Sequence, residues 1–248
     1  MKIGILSDAH GNAIGLKECI ASLKRRNINM LVSLGDCVGY FPEPNTVLET
    51  LLSADAVCLM GNHEAMLIGI LTLDKAKEEV YRIRKSRIGI SRRQFRWMSS
   101  WVPFQEAIVD GLRLLFVHGS PWDPLNGYVY PDSDLSRFNG LEFDAIFMGH
   151  THRPFTTRVG NLQLVNVGSC GLPRDTKRFL SCAIYDTEQN DCEMIQVDLD
   201  VSKLLQRYGR NTSSKVMDRF LAELPKKAPT AKAKARKRMG RVNSADYV

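Results

Sequence analysis

A chain of 248 residues that is 44% hydrophobic and 25% charged can bury a real core, which excludes a disordered polymer and a disulfide-stapled miniprotein. No apolar run approaches the ~20 residues that a bilayer span needs, and Asp8 and His10 interrupt the first apolar stretch, which argues against a secretory signal. The formal net charge of +7 belongs to one end: residues 203–248 hold 13 Lys and Arg against 3 Asp and Glu, leaving 21 basic and 24 acidic residues elsewhere, the mark of an appended basic tail.

In chain order, residues 2–7 read as a buried strand ending at Asp8-Ala9-His10-Gly11-Asn12, followed by an amphipathic helix over 13–25. The pattern repeats with a strand over 30–34 ending at Gly35-Asp36, and a helix that Pro44 opens and that runs to about 52. A third strand, 56–60, ends at Gly61-Asn62-His63, and residues 64–100 read as helical. Asp110-Gly111 between two apolar runs predicts a hairpin that ends at His118. A strand over 144–148 leads to Gly149-His150-Thr151-His152, and short strands over 155–159, 162–167, 179–185 and 192–197 follow. Strands alternating with helices and then giving way to hairpins predict an α/β fold that starts parallel. Residues 203–224 read as an amphipathic helical appendage with Leu204, Leu205, Tyr208, Val216, Phe220, Leu221 and Leu224 as its apolar face, and residues 225–248 as a basic, disordered tail. The catalytic unit is therefore expected over 1–202.

All five histidines, His10, His63, His118, His150 and His152, lie in these polar clusters just after strands, where loops of an open α/β sheet converge on one crevice. Imidazole, carboxylate and amide oxygen without thiolate suit a divalent metal that does hydrolytic chemistry. Asp8 and His10 point the same way if the segment is extended, and Asp36 has two oxygens to share. The seven groups Asp8, His10, Asp36, Asn62, His118, His150 and His152 exceed the three protein ligands of a catalytic zinc and fit two metals sharing Asp36. Such a pair clamps both the attacking and the leaving oxygen of a displacement at phosphorus. The six cysteines contain no CxxC pair and read as reduced thiols of a cytoplasmic protein.

The ordered set DxH, GD, GNH, H and GHTH resembles the calcineurin-like metallophosphoesterase superfamily over residue 1 to about residue 197. The loops Gly35-Asp36-Cys37-Val38-Gly39-Tyr40, Gly119-Ser120-Pro121 and Asn166-Val167-Gly168-Ser169 are similar to a branch of small bacterial and archaeal phosphodiesterases. The resemblance implies a four-layer αββα sandwich of mixed sheets and a dinuclear centre, commonly of manganese, although iron, zinc and nickel accept the same ligands. It implies that Asp8, His10 and His152 hold one ion, that Asn62, His118 and His150 hold the other, and that Asp36 bridges. A metal-bridging hydroxide would attack a phosphodiester while His63 helps the leaving oxygen depart. Phosphoprotein phosphatases of the superfamily carry GDxxDRG, whose second Asp orients the catalytic His. Gly39 and Tyr40 stand there instead, which argues against that activity and leaves the orienter of His63 open, with Glu64 adjacent. Asn12, Asn166 and Arg174 are candidate substrate contacts.

Nine bases lie between residues 74 and 96 and eight between 226 and 241, the latter without an acid, so nucleic acid is a candidate partner through the tail. A nuclease or nucleotide phosphatase on the same site is the alternative within this chemistry. A non-catalytic interaction module that retains the fold is the alternative outside it. Nothing in the chain predicts a membrane partner or an oligomeric state.

Overall fold

The computed structural model describes residues 1–175 and 179–221; the tail expected over 225–248 lies outside them. Ten strands form two five-stranded mixed sheets. In the first, β1 (Lys2–Leu6), β2 (Met30–Ser33) and β3 (Val57–Cys58) run parallel, while β9 (Phe179–Asp186) lies antiparallel to both β1 and β10 (Asp191–Asp198). In the second, β5 (Leu112–Val117), β6 (Ala145–Met148) and β8 (Leu162–Asn166) run parallel, edged by antiparallel β4 (Phe104–Val109) and β7 (Phe155–Val159). Asp110 and Gly111 both take left-handed backbone, φ 49° and 82°, as the tight turn between β4 and β5 requires.

Helices cover the outer face of the first sheet. Asn12 caps α1 (Ala13–Lys24) by accepting from the Gly15 N–H, and proline opens α2 (Pro44–Ser53). The region 64–100 contains α3 (Asn62–Ile68), α4 (Lys75–Tyr81), α5 (Ile83–Ile88) and α6 (Arg92–Ser99). Two further helices, α7 (Val201–Tyr208) and α8 (Ser214–Leu221), do not stand apart from this layer. Leu204, Tyr208, Val216 and Phe220 are buried in the same core as α1 and α2, at about 1.5–3 kcal/mol for each large apolar side chain. Glu43 fastens them further by accepting from the Tyr208 hydroxyl and the Arg207 guanidinium.

A second core fills the space between the sheets, with Ile3, Ile5, Val32 and Leu34 against Leu114, Phe116, Ala145, Phe147 and Val165. The fourth layer, outside the second sheet, is an irregular segment whose Val129 and Phe138 pack on Val117, Ile146 and Met148; it carries a short 3-10 turn over Ser136–Phe138. No helix of the described residues is long and apolar enough to cross a membrane. The carboxyl ends of β1, β2 and β3 meet those of β5, β6 and β8 at one crevice, stitched across the two sheets by His150 N–H to Asp8 Oδ2 at 3.0 Å and His118 Nδ1 to the Leu34 carbonyl at 3.0 Å.

Candidate metal centre

Asp8 and His10 follow β1, Asp36 follows β2, Asn62 and His63 open α3, His118 follows β5, and His150 and His152 follow β6. All eight side chains are buried. They converge, though not by the strand alternation that an extended Asp8-Ala9-His10 segment would give. Asp8, His10, Asp36, His150 and His152 hold left-handed backbone, with φ from 50° to 64°. The loops curl at the strand ends, and these curls turn the side chains inward.

Three groups of donors could each hold a cation: Asp8, His10 and His152; His10, Asp36 and His63; and Asp36, His118 and His150. The spacing argues that they fit one. His10 Nε2 faces His152 Nε2 at 3.1 Å, and His118 Nε2 faces His150 Nδ1 at 3.2 Å. His10 and His118 donate through Nδ1 to the Val38 and Leu34 carbonyls, and His152 to the Leu172 carbonyl. That fixes the tautomer and leaves lone pairs on their Nε2 atoms. The Nε2 lone pairs of His10 and His152 repel at that separation unless a cation lies between them. One end of the Asn62 amide also reaches the site, 3.2 Å from His118 Nε2 and 3.0 Å from Asp36 Oδ2, where the nitrogen would donate to these atoms and the oxygen would serve as a ligand to a bound cation. Asp8 Oδ1 is buried with no hydrogen-bond partner, 3.1 Å from His152 Nε2. Burial, Glu64 and Asp8 push the Asp36 carboxyl well above the usual carboxylate range, the response of a buried anion that lacks its counter-charge.

Burial lowers the histidines in turn, His152 to about 4 and His150 to about 2. Both lie below the ordinary value near 6.5, so the folded chain keeps these rings neutral and ready to ligate at pH values where a free imidazole is charged. We expect the ring-proton resonances of His150 and His152 in metal-free protein to stay at their neutral positions from pH 7 down to about 5. A midpoint near 6.5 for either ring would contradict this.

The orienter of His63 is the Val38 carbonyl, which accepts from His63 Nδ1 at 3.2 Å and from His10 Nδ1 at 3.1 Å. The rings of Tyr40, stacked at 5.1 Å, and Tyr81, at 4.7 Å, hold the imidazole from the side. This explains the departure at Gly39, where φ is +90° and a Cβ would stand 2.3 Å from His63 Nδ1. Glu64 points away from His63. Its carboxylate accepts from the backbone N–H groups of Asp36 (2.7 Å), Cys37 (2.8 Å), Val38 (3.1 Å) and Gly61 (2.9 Å), binding two ligand loops together.

Two of the expected substrate contacts are corrected. Asn12 is buried, with Oδ1 accepting from Gly15 and Nδ2 donating to the Gly171 carbonyl. Asn166 is buried, with Nδ2 donating to the Gly149 carbonyl and Oδ1 accepting from Gly168. Both amides are committed at both ends and brace the loops. Arg174 does stand at the crevice, its Nη2 donating to the Tyr40 hydroxyl at 3.1 Å. Sequence reasoning passed over Tyr40, Tyr81 and Tyr128, whose ring lies 4.1 Å from His150. Tyr40 and Tyr128 lie in loops and Tyr81 ends α4, and an isolated aromatic residue carries no signal that would assign it to a site.

Residues 1–190 match the calcineurin-like phosphoesterase superfamily domain. The chain is 29% identical over 226 residues to an uncharacterized protein of Methanocaldococcus jannaschii, covering 84% of this chain and 92% of that one. It is 23% identical to a phosphodiesterase of the same organism, covering 80% of this chain and 100% of that one. The crystal structure of a metallophosphoesterase from Sphaerobacter thermophilus superposes with a TM-score of 0.71 at 23% identity, over 90% of this chain and 99% of that one.

Proposed function

The chain belongs to the calcineurin-like phosphoesterase superfamily, and from that premise we propose that it is a dinuclear phosphodiesterase. The observation that carries the reading is the facing pair of Nε2 lone pairs of His10 and His152, with His118 and His150 set nitrogen to nitrogen at 3.2 Å across the site and Asp36 between the two pairs at 3.6 Å from both His10 Nε2 and His118 Nε2. Two divalent ions, when bound, supply positive charge for the phosphate and an activated water. In this reading Asp8, His10 and His152 hold one ion, Asn62, His118 and His150 hold the other, and Asp36 spans both. Manganese suits the mixed nitrogen and oxygen donors.

His63 does a different task. Its Nε2 faces the centre 3.9 Å from Asp36 Oδ2, while Nδ1 is tied to Val38. One nitrogen fixes the ring; the other carries a lone pair while burial and the neighbouring histidines keep the ring neutral, and would serve the departing oxygen by first taking up a proton and then passing it on. The name of the M. jannaschii phosphodiesterase supports a diester substrate. The bases over 226–241 support nucleic acid as a polymeric form of it. Six unpaired cysteines support a cytoplasmic setting.

The test is hydrolysis of bis-p-nitrophenyl phosphate against p-nitrophenyl phosphate with manganese. We expect the diester to be preferred, and His63→Ala to lose roughly 10²–10⁴ in rate, as loss of a proton-transfer group does. Preference for the monoester, or a His63→Ala variant as fast as the parent, would overturn the assignment. No turnover of either ester by metal-loaded protein would shift weight to a non-catalytic module.

A further inference from the structure

Among the described residues the arginines at the rim of the crevice form no ion pair, and the carboxylate whose charge Arg174 favours is Asp36 of the candidate centre itself. The Arg174 N–H donates to the His152 carbonyl at 3.1 Å, and its Nη2 reaches the Tyr40 hydroxyl at 3.1 Å. The Tyr40 ring lies edge-on to His10 at 4.6 Å and stacked on His63 at 5.1 Å, so the Arg174 guanidinium stands beside the candidate centre. Arg153 directly follows His152 and lays its guanidinium 5.5 Å from the centre of the Tyr130 ring. Tyr130 in turn stacks on Tyr128 at 5.8 Å, beside His150.

Arg219 comes from helix α8. Helix α8 is seated by Phe220 on Phe41, ring centres 6.2 Å apart, and Phe41 adjoins Tyr40. The Arg219 Nε is buried with no hydrogen-bond partner. Besides burial, the groups whose charge acts on Arg219 are Arg174, Tyr40 and Arg153, two cations and a phenol. Among the described residues the arginines in ion pairs are Arg113, Arg158 and Arg207, none of these three. Like charges gathered without a counter-ion repel one another unless an anion joins them. Guanidinium forks match phosphate oxygens in pairs.

We propose that Arg153, Arg174 and Arg219 form a second anion subsite, which takes a phosphate of the substrate other than the one being hydrolysed. The inference rests on the phosphodiesterase reading and narrows it to nucleotide diesters that carry a further phosphate. Tyr128, 52% exposed beside His150, offers a ring face to the base. Helix α8, outside the residues that match the family domain, thereby enters recognition.

The test uses the manganese-loaded full chain with adenosine 3′,5′-bisphosphate and adenosine 5′-monophosphate. Calorimetry gives the affinity of each, and inhibition of bis-p-nitrophenyl phosphate hydrolysis shows whether each competes. We expect the bisphosphate to bind tighter by about 10-fold or more, the effect of charge-assisted hydrogen bonds to one added anion. Arg219→Ala and Arg153→Ala should each remove most of that preference. Arg219→Lys should restore part of it, since it returns the charge without the fork. Arg158→Ala, which breaks the distant contact to Asp191, should retain it in full. An unchanged preference in Arg219→Ala and Arg153→Ala overturns the subsite, as does bisphosphate binding that does not compete with the diester. A preference lost in Arg219→Ala, in protein that binds the nucleotides but hydrolyses no diester, keeps the subsite and overturns the phosphodiesterase reading.

Discussion

Asp36→Asn should abolish the proposed metal-dependent hydrolysis while leaving the fold intact. Asp36 Oδ1 accepts from the His63 N–H at 2.9 Å and lies 3.6 Å from His118 Nε2, while Oδ2 lies 3.6 Å from His10 Nε2 and 3.9 Å from His63 Nε2. An asparagine of the same shape puts an N–H₂ into one of these positions, where it faces cations when metal is bound. Losing a partner that merely orients a ligand costs roughly 10–100-fold in affinity or activity, so losing a ligand shared by two ions should exceed that range. The metal-free variant should be at least as stable as the parent. Glu64 and Asp8 both oppose the Asp36 charge, and a neutral amide can donate to the nearby imidazole lone pairs. The measurement is the bound metal per chain together with diester turnover, with thermal midpoints taken with and without manganese. We expect turnover and the manganese-induced gain in midpoint to vanish together while the metal-free midpoint holds. A variant that binds two ions and turns over normally would remove Asp36 from the centre.

Glu64→Ala should be the most damaging single change to stability at the site. The carboxylate is fully buried and accepts from four backbone N–H groups drawn from the loops after β2 and β3. An unsatisfied buried donor costs about 1–3 kcal/mol. Some relaxation around the truncated side chain still leaves an expected loss of about 4 kcal/mol or more. For a chain of this size that is a fall of roughly 10 °C or more in thermal midpoint. Glu64→Gln keeps one acceptor oxygen but turns an N–H₂ toward amide donors, so it should recover less than half of the loss. Urea unfolding of metal-free protein reads the effect without metal linkage. A loss below about 1 kcal/mol for Glu64→Ala would mean that the loops hold themselves.

Much of the architecture was legible because the signals were local. Apolar runs ending at Asp8, Asp36, His63, His118 and His150 place strands and site together, and Asp110-Gly111 places the hairpin. What escaped depended on pairing across the chain. The apolar face of residues 203–224 is visible in the sequence, but not that Glu43 and Phe41 receive its described part, Leu204 to Phe220. The polarity of Asn12 and Asn166 suggests ligand contact, and only the fold reveals that Gly171 and Gly149 occupy them first. Glu64 stands next to His63 in sequence, yet the helix that begins at Asn62 sends it to the backbone amides.

The left-handed backbone at Asp8, His10, Asp36, His150 and His152 bears on how such a protein changes over generations. Side chains other than glycine occupy that conformation at about 1–2 kcal/mol each relative to the right-handed one. Glycine would relieve that strain, but these side chains are buried, and Asp8 and Asp36 accept the His150 and His63 N–H groups. Emptying such positions leaves voids and unpaired donors whose cost of about 1–5 kcal/mol offsets the relief. A lineage released from the need for turnover therefore gains no stability by discarding the ligands, and the cluster can outlast its use.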